Sequence, residues 1–195
     1  MMQKYSVALF LLSSVLSPSH AAPQNSVSEW SSGACSSVAI GPGDELSHLQ
    51  RVYLVGQPGL SIQHKYYADA LCKLPLYTLV IQGRAEPAGE GRDYADHVAV
   101  KVTLDRVLFT LDSPRGATLA KSCADGVFEV GVQRDVSDSA CLFMKPKARC
   151  GTDFDIVKIK DGVMTTGFRT ADMCSAQGLP TRLQSAGAAY VEQFN

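Results

Sequence analysis

From Leu60 to Tyr67 the side chains change character at every step. Leu60, Ile62, His64 and Tyr66 fall on one side, and Ser61, Gln63, Lys65 and Tyr67 on the other. A step of two is the signature of a β-strand, whose successive side chains point to opposite faces. The pattern returns more clearly at Tyr94–Leu104. There Tyr94, Asp96, Val98, Val100 and Val102 oppose Ala95, His97, Ala99, Lys101 and Thr103, and the run continues through Val107–Leu111. Arg51–Val55, Leu76–Gln82, Phe128–Val132, Cys141–Met144, Phe154–Ile159 and Val163–Phe168 add further strand signals. Turn chemistry separates them: Gly56-Gln-Pro-Gly59, a polar loop over Gly83–Arg92, Asp112-Ser-Pro-Arg-Gly116 and Asp161-Gly162. Ala117–Ser122 suits one or two turns of helix, and Leu183–Glu192 either a short helix or a last strand. A series of short strands with turns between them reads as an antiparallel sandwich or barrel, and a closed barrel leaves no exposed edge.

The first residues belong to a different kind of segment. Lys4 precedes an apolar stretch, Val7–Leu16, and Ser17-Pro-Ser-His-Ala21 breaks the helix and ends on a small residue. This is the form of a secretory signal peptide over 1–21, which leaves 22–195 as one domain with Ala22–Val27 as a loose arm. The apolar stretch is too short for a retained anchor, and no later run approaches membrane-spanning length. The six cysteines all follow the leader. An even count in an exported chain implies three disulfides, and spacing alone leaves their pairing open. The expected setting is secreted, extracellular or periplasmic, and the expected state is a monomer. With 18 Lys and Arg against 19 Asp and Glu, and no basic cluster, no nucleic-acid partner is expected.

Catalytic chemistry finds little footing. His48, His64 and His97 each stand alone in their segment. No Cys-x-x-Cys, Gly-x-Ser-x-Gly, His-Glu-x-x-His or phosphate-loop pattern is present. The carboxylate pairs Asp93/Asp96 and Asp153/Asp155 read as solvated strand ends. The chain is therefore expected to be no enzyme, with no catalytic residue, metal or cofactor. A site assembled from His64, His97 and Asp96 is the only enzymatic arrangement that the residues suggest.

Small barrels either fill their interior or hold one small ligand. Leu60, Ile62, Tyr66, Tyr77, Leu79, Ile81, Val98, Val100, Phe128 and Val130 supply apolar faces, two of them tyrosines with a polar tip. Composition leaves open whether these residues are packed core or the wall of a cavity.

Three stretches point further. Ser28-Glu-Trp30 leads to Cys35. Tyr66-Tyr-Ala-Asp-Ala-Leu-Cys-Lys-Leu-Pro-Leu-Tyr-Thr-Leu-Val-Ile-Gln-Gly-Arg84 follows. Cys123-Ala-Asp-Gly-Val-Phe-Glu-Val-Gly-Val-Gln-Arg-Asp-Val136 precedes Cys141 and Phe154-Asp-Ile-Val-Lys158. In order, over roughly Trp30 to Lys160, these resemble the extracellular domain of the adenomatosis-polyposis-coli down-regulated (APCDD) family of Wnt inhibitors. The resemblance implies an all-β fold: an antiparallel up-and-down β-barrel, lipocalin-like, with disulfides and at most one or two short helices. It implies the bonds Cys35–Cys72 and Cys123–Cys141, with Cys150–Cys174 as the third. Trp30 resembles a tryptophan that plugs one barrel end. The ten apolar residues become the wall of a cavity for a fatty acyl chain. The implied partner is a lipid or a lipidated protein, Wnt-like if the source is an animal, with an inhibitory effect on Wnt signalling. The family's animal members carry two such domains and a membrane anchor, whereas this sequence shows one. The competing expectation is a protein-interaction module with a solid core, binding through the loops at Gly83–Arg92 and Arg134–Ala140.

Overall fold

In the computed structural model, residues 28–40, 45–56, 59–88, 96–123, 127–169, 172–184 and 190–193 are described. The leader, the arm Ala22–Val27 and Tyr94 lie outside them. The alternating stretches form ten strands: β1 (Ser28–Ser31), β2 (Ser36–Ile40), β3 (Glu45–Val55), β4 (Leu60–Tyr67), β5 (Pro75–Pro87), β6 (Val98–Leu111), β7 (Gln133–Asp135), β8 (Thr152–Lys160), β9 (Val163–Thr166) and β10 (Tyr190–Gln193). Going round the ring, β3, β4, β5, β6, β8, β9, β10 and β1 pair in turn, each antiparallel to the next, and β1 returns to β3. The protein is a closed, eight-stranded, up-and-down antiparallel barrel.

Closure falls on Trp30, which pairs with Tyr53 on one side and Glu192 on the other. Two strands lie off the ring. β2 pairs with the first half of β3, before the stretch that β1 takes. β7 pairs with the end of β6, beyond the stretch that β8 takes. β3 and β6 are thus each shared between two partners on one edge.

Several expectations need correction. β5 continues through Gly83–Pro87, where turn composition predicts a loop, because those residues pair with Leu104–Val100 of β6. A bulge at Gln82/Gly83 precedes this extension. A Cβ on Gly83 would lie 2.3 Å from the Thr103 carbonyl oxygen, so the strands approach this closely only at glycine. Phe128–Val132 is not a strand: Val130 makes one bridge to Leu111, and only β7 follows. Cys141–Met144 is a tight turn, with Cys141 N–H to Met144 O at 3.1 Å and the reciprocal bond at 2.9 Å. The tail takes the strand alternative as β10. The helical stretch shortens to α1 (Ala117–Ala120), the only α-helix among the described residues. None of those residues form a helix long and apolar enough to cross a membrane.

The interior rows follow the sheet register. Tyr77, Leu79 and Ile81 of β5 face Tyr66, His64 and Ile62 of β4, and Leu111, Phe109 and Val107 of β6. The rings of Tyr66 and Tyr77 stack at 4.5 Å, and those of Tyr77 and Phe109 at 5.5 Å. Leu76 lies on the outward face, yet it is buried, because the N–H groups of Asp112 and Ser113 bind its carbonyl and bring the next turn over it. A second cluster of Trp30, Met164 and Tyr190, with Tyr53 against it, fills the interior where the ring closes. Three disulfides join Cys35 to Cys72 and Cys123 to Cys141, the pairs that the resemblance implies, and Cys150 to Cys174, the pair those two leave over.

Candidate functional site: an apolar cavity with two arginines

The barrel is not filled throughout. A cavity of about 1340 Å³ runs between its wall and the segments around α1, the Cys141–Met144 turn and Asp172–Cys174. Ile62, Tyr66, Ile81, Val102 and Leu104 are its buried apolar wall. Leu119, Leu142 and Met144, half-buried, extend that surface from the connecting segments. The exposed lining residues Thr118, Lys121, Ser122, Phe143, Lys145 and Asp172 mark its mouth. Phe143 reaches inward, its ring 5.7 Å from that of His64.

Of the ten residues expected to form a cavity wall, Ile62, Tyr66 and Ile81 do so. Leu60, Tyr77 and Leu79 belong instead to the solid part of the core, where Tyr77 and Leu79 lose all exposure beneath their packed neighbours. Val98 opens β6 and remains 57% exposed. Val100 is half-buried and stands opposite Asp155 rather than in the cavity. Phe128 packs on Phe109 at 4.6 Å from a connecting segment, under the Arg134 guanidinium. Val130 is exposed in the same segment. Both carry strand alternation without a neighbour along their length to pair with.

The polar residues in the cavity are the larger surprise. Arg51 lines it, its Nη1 donating to the Tyr190 hydroxyl at 3.1 Å. Arg169 lines it too, and donates to Asp153 at 2.8 Å and Asp155 at 3.0 Å. Asp155 is buried and also accepts the backbone N–H groups of Ile156 and Gly167, at 2.8 and 2.9 Å. The reading of Asp153 and Asp155 as solvated strand ends is therefore wrong: they are the counterions of Arg169, whose side chain borders the cavity and is 45% exposed. Burial still holds the Asp155 carboxyl above its ordinary range, against the opposing pull of Arg169.

His64 is the cross-strand partner of Arg51. Burial, reinforced by the Arg51 and Arg169 cations, pulls its pKa down to about 3, so the imidazole is neutral at ordinary pH. Burial likewise raises the phenols of Tyr53, Tyr66 and Tyr77. The cavity therefore offers apolar and neutral aromatic surface, with one guanidinium, that of Arg51, set beside it without a carboxylate counterion among the described residues and a second, that of Arg169, already paired.

The His64, His97 and Asp96 grouping does not assemble around this space. His97 and Asp96 lie together just before β6, with His97 Nδ1 2.8 Å from Asp96 Oδ1, and Asp96 also binds Lys158 at 2.5 Å. Neither lines the cavity that His64 faces. Among the described residues, the one cluster with metal-ligand spacing is Cys150, Asp172 and Cys174, and its cysteines are joined in a disulfide. Compared with protein-family models and with curated proteins, the chain matches none.

Proposed function

We propose that this protein is an exported binding module that holds a fatty acyl chain inside its barrel. The observation that carries the reading is the cavity of about 1340 Å³, lined mainly by apolar side chains and opening between α1 and the Cys141–Met144 turn. Ligand sites are commonly clefts of roughly 300–1,000 Å³ with few polar groups, so this one has room for a chain-like molecule. The hollow interior speaks against a module with a solid core. Disulfides suit an oxidising compartment. The likeness to the APCDD domain rests on the quoted motifs; the closed barrel, the cysteine pairing and the burial of Trp30 at the ring closure support it. By that likeness, the acyl group of a lipidated, Wnt-type protein is a natural partner wherever such proteins exist.

Native mass spectrometry and lipid extraction of the purified exported protein test this. A stoichiometric acyl-bearing molecule is expected. Val102→Trp, which fills the cavity from its wall, should lower the amount retained while the barrel's circular dichroism persists. A folded wild-type protein that neither carries nor takes up any acyl chain overturns the proposal.

A further inference from the structure

The charges around the cavity are unevenly paired. Arg169 is matched by Asp153 and Asp155, and at the mouth Lys145 pairs with Asp172. Arg51 has no acidic partner among the described residues. Its guanidinium donates to the Tyr190 hydroxyl, and its Nε donor is buried with no acceptor. The Nδ1 atom of the neighbouring His64 is likewise buried without a partner. Arg51 also borders a second, smaller pocket of about 200 Å³ edged by Ser32, Ser36, Ser37 and Gln184. That pocket sits where β1 and β2 part along β3. An internal guanidinium with unused donors is costly unless an anion meets it, and a planar carboxylate is a natural partner for its fork of N–H groups.

We infer that the cavity selects a single-chain amphiphile with a free carboxylate, its head held at Arg51 beside His64 and Tyr190 and its tail along the apolar wall. This rests on the acyl-chain reading and sharpens it. An acyl ester, as on a lipidated protein, brings no negative charge to Arg51, whereas a free fatty acid does. Arg169 is not the head-binding group, because two carboxylates already occupy its donors.

The test compares three probes of equal chain length, dodecanoate, methyl dodecanoate and 1-dodecanol, by isothermal titration calorimetry on delipidated full-length exported protein. Dodecanoate is expected to bind about tenfold or more tighter than the ester or the alcohol, in line with a charge-assisted hydrogen bond. In Arg51→Gln that preference should disappear. Equal affinity for acid and ester in the wild-type protein overturns the inference, as does a preference that survives Arg51→Gln. The wild-type comparison decides by itself if the variant does not fold. Binding of none of the three probes would instead remove the acyl-chain reading beneath it.

Discussion

Asp155 and Gly167 are bound tightly to each other, with the Asp155 Oδ1 accepting the Gly167 backbone N–H at 2.9 Å. The contact leaves no room for a side chain. A Cβ on Gly167 would lie 2.5 Å from the same Oδ1 and 2.5 Å from Pro180 Cγ. Gly167→Ala should therefore force apart the carboxylate that balances Arg169, at a cost of about 1–3 kcal/mol. The midpoint of urea unfolding should fall with an unchanged slope. A midpoint equal to the wild type would show that the loop relaxes freely.

Tyr77 and Val98 share a predicted role but not a setting, and substitution should separate them. Tyr77 has no exposure and stacks between Tyr66 and Phe109. Tyr77→Ala should cost about 3–5 kcal/mol. Val98 is 57% exposed, and Val98→Ala should stay within about 0.5 kcal/mol. Equal losses for the two would contradict the packing described.

Acid should destabilise the fold partly through His64. Its folded pKa lies at about 3 against an ordinary 6.5, so between these values the unfolded chain takes up a proton that the folded chain refuses. The stabilising effect is complete above pH 6.5 and is lost as pH falls towards 3, at up to about 1.4 kcal/mol per pH unit. Asp155, raised by burial, acts in the opposite sense, since its folded form holds a proton at a pH where the unfolded form has released it. Thermal midpoints across this range should therefore fall less steeply in His64→Gln than in the wild type. Parallel curves would count against a neutral, buried imidazole.

The bond between Cys35 and Cys72 spans 37 residues and ties the approach to β2 to the β4–β5 connection. Replacing both with serine should cost about 4 kcal/mol, if loop entropy in the unfolded chain dominates. Peptide mapping without reductant should recover Cys35 joined to Cys72. A peptide pairing Cys72 with Cys123 would overturn the register of the barrel.

The barrel was readable because its strands obey a period that any strand must obey. β4 matches its predicted span, and the interior row Tyr77, Leu79, Ile81 follows from alternation alone. What alternation does not encode is how much fills the space beyond a face. It cannot separate Tyr77, sealed by Phe109, from Ile81, which borders the cavity. β2 escaped notice because Ser36-Ser-Val-Ala-Ile40 owes its extended form to pairing with β3 rather than to its own residues. Phe128–Val132 shows the converse, strand composition with no partner strand along its length. The charged interior was partly legible: Arg51 shares the parity of Tyr53, so an inward Tyr53 requires an inward Arg51. Arg169 follows the end of β9 and carries no periodic signal, so only the folded structure brings it to Asp153 and Asp155.

The pairing of Glu29 with both Gln193 and Leu54 joins the two ends of the chain's ring of strands. β1 can dock on β3 early, but the last gap waits for β10, more than a hundred residues further along the chain. Contacts of such separation slow folding, and until they form, β1 and β9 each present a row of unpaired backbone groups able to recruit a neighbouring molecule. Until the ring closes, the chain is therefore an open ribbon with two exposed edges. Loss of residues 190–193 would leave the finished protein in the same open form.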